Sequence, residues 1–393
     1  MPELYDPSRH EPLSGARWSA RAARAGITDI CRDAETAFVA SRLWPLHPGD
    51  REGDRTGDGL TRGIYLGAAG MVHGLARIAR AGLYEPRLDL TAIASGLRGS
   101  SPDSPGAENS LLLGSSGMLV VAHRLDPAPG TANALAAAIA ANAAHPANEL
   151  LYGAPGTMLA ARAMYERTGD QRFAELWRAS ARTLLGRQEP DGLWTQQIGS
   201  DHLRFVGAGH GFAGNIHALL SSPQWLEDSA TLTTRALATI RALALIDGPL
   251  ASWATLPTGS RYGFAPRVQW CHGAPGIVTS LAPLAPGDER HTALLAAGGE
   301  LTWRAGPSAL NVGLCHGTAG NGFAFLALHS RTGDERWLAR ARAFAMHALA
   351  QVTRLRAATG RARYTLFTGD IGAALLAAAC VEPDPRFPGL DDL

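Results

Sequence analysis

The stretch Val268-Gln269-Trp270-Cys271-His272-Gly273-Ala274-Pro275-Gly276 has an echo downstream, Gly313-Leu314-Cys315-His316-Gly317-Thr318-Ala319-Gly320. Each joins a Cys-His-Gly triplet to a Gly-x-x-Gly frame, and together they hold two of the chain's four cysteines. Two thiolates and an imidazole are a natural zinc ligand set, and three protein ligands leave a fourth position for a reactant. A cysteine buried as a small hydrophobe is the ordinary alternative. It fits Cys31 and Cys380, which have no histidine neighbour, better than it fits two matching triplets.

Outward from these triplets the same frame recurs. Seven frames, Gly67–Gly70, Gly114–Gly117, Gly153–Gly156, Gly211–Gly214, Gly273–Gly276, Gly317–Gly320 and Gly369–Gly372, each open an apolar stretch of helical character. Recurrence at intervals of this size marks a repeat architecture. Between the frames lie segments with helical periodicity and charged faces: Ser19–Arg42, Leu88–Arg98, Thr131–Ala144, Gln171–Gln188, Ala230–Ile246, Glu289–Ala305 and Glu335–Ala358. Asp170, Asp288 and Asp334 stand just ahead of three of them, where a carboxylate caps free N–H groups. The expected fold is all-α. Amphipathic helices form an outer layer, and Gly-led helices an inner one that brings the two triplets to one rim. An open solenoid is the alternative. No strand pattern of comparable length is present; Pro48–Arg62 and Arg98–Asn109 read as loops, and no linker divides the chain. Residues 1–393 are expected to form one domain, with residues 1–60 as a leading segment carrying the first outer helix.

Composition narrows the function. A hydrophobic share of 46% with 18% charged residues describes a chain able to bury a large core. A formal charge of +1 gives no field to attract nucleic acid or an anionic membrane. No apolar run is long enough to span a bilayer, and the N-terminal residues lack a signal-peptide core. Four cysteines without close pairs point to a reducing, cytoplasmic setting.

The triplets and frames together resemble the lanthionine synthetase C-like family. The resemblance runs from about Gly63 to the C-terminus. It is carried by Glu149-Leu150-Leu151-Tyr152-Gly153, Gly209-His210-Gly211-Phe212-Ala213-Gly214, the two triplets, Leu366-Phe367-Thr368-Gly369 and Arg386-Phe387-Pro388. It implies a double-layered α/α toroid of seven inner and seven outer helices. It also implies Zn2+ on Cys271, Cys315 and His316, and addition of a thiol to dehydroalanine or dehydrobutyrine. The same resemblance makes His210 the candidate acid, Glu149 its orienting carboxylate and Arg267 a cation facing the enolate. His272, where many bacterial members carry Tyr, becomes a candidate for proton transfer or for holding the ligands.

Those residue types suit the reaction. The thiolate is the nucleophile, and attack at the β-carbon leaves an enolate that needs charge stabilisation and a proton. Each has an ordinary alternative: a core histidine at 210, a backbone-capping carboxylate at 149, a solvated arginine at 267. The eukaryotic-type members carry a lysine ahead of the second cysteine that helps bind glutathione. Ser308-Ala309-Leu310-Asn311 has none here, and Arg361 and Arg363 are the nearby basic alternatives. The expected substrate is a dehydrated, Cys-containing peptide supplied by a separate dehydratase or kinase/lyase. Glutathione addition to dehydroamino acids in proteins is the second reading and a zinc-containing binding module the third. A carbohydrate-active toroid would need two opposed carboxylates, for which only Glu149 and Asp370 stand beside frames. His73, His123, His217 and His329 lie in apolar helices and read as structural.

Overall fold

The fold was analysed in a computed structural model that describes residues 4–50, 60–257 and 266–393. Part of the Pro48–Arg62 loop, and Pro2 and Glu3 at the N-terminus, lie outside the described residues. Fourteen α-helices alternate between two layers among the described residues. The outer layer is α1 (Ala20–Ala37), α3 (Leu90–Gly96), α5 (Pro129–Asn142), α7 (Gln171–Gly186), α9 (Ser229–Ala242), α11 (Glu289–Ala305) and α13 (Glu335–Thr359). The inner layer is α2 (Ala68–Arg80), α4 (Ser115–Leu125), α6 (Ala154–Thr168), α8 (Phe212–Leu220), α10 (Ala274–Leu281), α12 (Thr318–Thr332) and α14 (Asp370–Val381). Each inner helix packs on the next, and α14 packs on α2. The ring is therefore closed: a toroid, not an open solenoid.

The two layers begin differently. Asp89, Asp170, Asp228, Asp288 and Asp334 cap outer helices, each carboxylate accepting a backbone N–H of the first turn. Inner helices start on the first glycine of a frame and have no side-chain cap. Their first N–H groups are met by the loop ahead of them. At α12, Thr318, Ala319 and Gly320 donate to the carbonyls of Asn311, Val312 and Gly313 at 3.1, 3.0 and 3.2 Å. The orphan donors of the helix end are thus satisfied within the repeat.

That folded-back loop explains the second glycine of the frame. A Cβ at Gly320 would lie 1.8 Å from Leu314 O, and one at Gly276 would lie 1.8 Å from Trp270 O. Gly70, Gly117, Gly156 and Gly214 meet the equivalent carbonyl at 2.0–2.4 Å. Backbone cannot retreat as a flexible side chain does. Gly276→Ala should therefore destabilise the protein by about 3 kcal/mol, the upper range for forced overpacking. Chemical denaturation measures it; an unchanged midpoint would contradict this account of the frame.

Two outer helices stop earlier than their periodicity suggests. α1 ends at Ala37, where Val39 N–H donates to Leu43 O and the Trp44 indole donates to Ala34 O at 2.7 Å. α9 ends at Ala242 because Ala244–Asp247 (β3) pairs antiparallel with Leu250–Trp253 (β4), and Trp253 donates its indole N–H to Ile240 O. A second hairpin joins Gln196–Ile198 (β1) to Asp201–Leu203 (β2). Strands of three or four residues are too short to leave a period-2 signature.

The last residues fill the ring from the far end. Phe387 stacks on Trp270 with ring centroids 4.7 Å apart and also packs against Phe323 and Phe367. Asp392 accepts from His73 (3.1 Å) and Arg77 (2.7 Å), and Asp391 pairs with His217 (2.8 Å). His73, midway along α2, and His217, in the last turn of α8, thus anchor the tail to inner helices. Asp370 is held by Arg356 at 2.8 Å and Arg363 by Asp50 at 2.7 Å. Arg361 is exposed.

Candidate metal and catalytic site

The residues two places before each frame line the rim. Five of their N–H groups donate to the next repeat's carbonyl: Gly209 to Cys271 (3.3 Å), Cys271 to Cys315 (3.1 Å), Cys315 to Phe367 (2.7 Å), Phe367 to Tyr65 (3.2 Å) and Tyr65 to Leu112 (2.8 Å). This backbone relay crosses the junction between the last repeat and the first. It holds Cys271 and Cys315 side by side. The next position along carries His210, His272 and His316 in three consecutive repeats.

Ligand atoms of Cys271, Cys315 and His316 all lie within 4.8 Å of one another. Both cysteines are buried, and all four cysteines of the chain are free thiols. A hydrogen bond from Cys315 pulls the Cys271 thiol well below the usual range. The same bond, with burial, pushes Cys315 well above it. Two sulfurs this close share one proton unless a cation separates their charges. The donor set, its burial and this electrostatic demand all fit zinc.

Glu149 and His210 meet on the same rim. Glu149 is fully buried, and its Oε2 lies 3.0 Å from His210 Nδ1. The carboxylate also accepts the N–H groups of Leu151 and Tyr152 at 2.9 and 2.6 Å, so it caps backbone and orients the imidazole at once. Burial works against protonation of His210, but the hydrogen bond and charge of Glu149, helped by Cys271, raise its pKa overall. About a quarter of the His210 side chain stays exposed.

His272 lies between this pair and the sulfurs. Its ring stacks on His210 at 5.4 Å and meets Phe205 in a tilted contact at 5.2 Å. Burial pushes its pKa down to about 4, with the His210 and Arg267 charges adding to the effect and Cys271 opposing it, so the ring is neutral at pH 7. Its Nδ1 is buried without a hydrogen-bond partner. Arg267 is partly buried, and its carbonyl lies where a Gly273 Cβ would go; Gly273 itself needs φ 109°, a region closed to other residues. Ser308 donates its hydroxyl to His316 O at 2.9 Å, so Ser308–Asn311 braces a ligand loop.

One further side chain reaches a sulfur: Gln269 Nε2 lies 2.9 Å from Cys271 Sγ. Tyr65 stands beside the cysteines; burial, with their charges adding to it, pushes its phenol well above the ordinary range. Neither residue stood out in the sequence. Tyr65 nevertheless occupies, two before Gly67, the place that Cys271 and Cys315 occupy before their own frames.

A closed helical toroid with a thiolate–imidazole cluster on its rim defines the class of this protein. The family model described as "Lanthionine synthetase C-like protein" matches residues 61–391. The chain belongs to that family. It is 33% identical over 197 residues to LanC-like protein GCL1 of Arabidopsis thaliana, covering 48% of this chain and 43% of the relative. It is 29% identical over 187 residues to Glutathione S-transferase LANCL1 of Danio rerio, covering 47% of this chain and 45% of that one. The matched stretch thus spans less than half the length of these curated relatives. Among solved structures, Nisin cyclase superposes with TM-score 0.60 at 14% identity, over 82% of this chain and 89% of the other, which establishes the shared fold. Among the described residues no helix is long and apolar enough to cross a membrane.

Proposed function

We propose that this protein is a zinc-dependent cyclase that adds a peptide Cys thiol to dehydroalanine or dehydrobutyrine, forming a lanthionine-type thioether. One observation carries the reading: two cysteines and a histidine converge on the same rim as a histidine held by a buried carboxylate. Cys271, Cys315 and His316 would hold the ion, which lowers the pKa of a substrate thiol at neutral pH. The substrate S–H adds across the Cα=Cβ bond. An S–Cβ bond forms, the π electrons move onto the carbonyl as an enolate, and the α-carbon takes a proton. His210, whose protonated form the Glu149 carboxylate favours, supplies that proton. Arg267 and the neutral His272 stabilise the enolate oxygen.

The reading treats the chain as one domain, which the unbroken ring of inner helices supports. It places the protein in a reducing cytoplasm, as four free thiols suit. The dehydrated peptide would come from a separate dehydratase or kinase/lyase. Incubating a dehydrated Cys-containing peptide with the protein should protect its thiols from alkylation without changing its mass. Thiols that remain fully alkylatable would sink the cyclase reading. The Danio rerio relative's name supports a second reading, addition of glutathione to dehydroamino acids. A mass gain of one glutathione per dehydrated site would favour it. Peptide bound but unchanged would favour a binding module.

A further inference from the structure

We propose that Gln269 is a positioning residue that sets the donor strength of the Cys271 ligand sulfur through one side-chain hydrogen bond. This rests on the assignment of zinc to Cys271, Cys315 and His316. Gln269 is buried, and its backbone N–H donates to His272 O at 3.2 Å, closing a tight turn around Cys271. Within that turn the side-chain amide folds back so that Nε2 sits 2.9 Å from Cys271 Sγ. The turn is pinned on its flanks by the bridge between Val268 and Gly273 and by Asn321 Nδ2, which donates to Val268 O at 3.0 Å.

The Gln269 donor is uncharged, and the rim relay from Gly209 through Cys271 to Cys315 holds the sulfur it meets in place.

The chemistry gives this bond a purpose that packing does not. Two bare thiolates would nearly neutralise a dication and blunt its pull on a substrate thiol. A hydrogen bond to a thiolate withdraws electron density from sulfur and preserves that pull, as partners beyond the ligands do in metal sites generally. It also lowers the nucleophilicity of the ligand sulfur. Cys271 then does not compete with the substrate thiol for the dehydroamino acid. A side chain placed only to fill space needs no N–H here.

The test uses the full chain loaded with Co2+ and read by absorption spectroscopy. Wild type should show a sulfur-to-cobalt charge-transfer band together with tetrahedral ligand-field bands. In Gln269→Met and in Gln269→Leu the charge-transfer maximum should move to longer wavelength, because a sulfur freed of its hydrogen bond holds its electrons less tightly. The ligand-field bands should keep their shape. A role in packing alone would change thermal stability and leave the charge-transfer energy where it is. Wild-type band energy in both variants overturns the proposal while leaving the zinc assignment intact. Absence of any charge-transfer band in wild type overturns the zinc assignment itself, and this inference with it. Should Gln269→Met fail to fold, Gln269→Leu, which also removes the N–H donor, decides the question.

Discussion

Replacing Cys315 with alanine should strip the protein of zinc and end thioether formation. Wild type is expected to carry about one zinc per chain, with three protein ligands and one position for the reactant. Loss of partners beyond the ligands already costs about 10–100-fold in metal affinity or activity. Loss of a ligand itself should exceed that, lowering zinc content below roughly a tenth of an equivalent after dialysis. The backbone at position 315 keeps its place in either residue type, since its N–H bonds Phe367 and its C=O accepts from Cys271. Elemental analysis beside circular dichroism separates metal loss from unfolding. Wild-type zinc content in a folded Cys315→Ala protein would remove Cys315 from the ligand set.

Glu149→Gln should shift the pH dependence of the reaction in a predictable direction. Burial alone depresses the pKa of His210, and the hydrogen bond and charge of Glu149 lift it above the ordinary value. A raised pKa keeps the imidazolium available up to higher pH, and the acid form is lost as pH rises through it. Removing the carboxylate charge leaves burial dominant. The descending limb of kcat/KM against pH should then move to lower pH, with the largest loss above neutrality. His210→Ala should lose about 10²–10⁴-fold at every pH, the usual worth of a positioned acid. A limb unmoved in Glu149→Gln would mean that another group supplies the proton. Glutamine also gives up one of the two backbone bonds that Glu149 accepts, worth about 1 kcal/mol, so stability is measured alongside.

Much of the ring was legible because its cause is local. Two glycines three apart are required wherever a loop folds back over the helix it precedes, and Gly276 and Gly320 have a carbonyl where their Cβ would be. Asp170, Asp288 and Asp334 were readable as caps for the same reason; Asp89 and Asp228 carry the same signal and went unremarked. The end of α1 was not legible. Phe38, Val39, Leu43 and Trp44 continue an apolar pattern past Ala37, and only the packing of Trp44 against Phe38 and Ala34 shows that the helix has stopped. The ends of α9 and both hairpins escaped likewise.

The site divides along the same line. The sequence by itself determined which residue types stand at which place in the frame: cysteine two before the glycine in two repeats, histidine one before it in three. Those letters, with Glu149 and the family resemblance, suffice to nominate a zinc set and an acid. Tertiary structure decided which repeats touch. Glu149 and His210 are 61 residues apart and meet at 3.0 Å, and Tyr65 meets Phe367 because the first and last repeats join. The physical reason is closure. Local sequence sets the conformation of each repeat, but contacts across the junction exist only once the whole ring has packed shut, and no stretch of the chain encodes them alone.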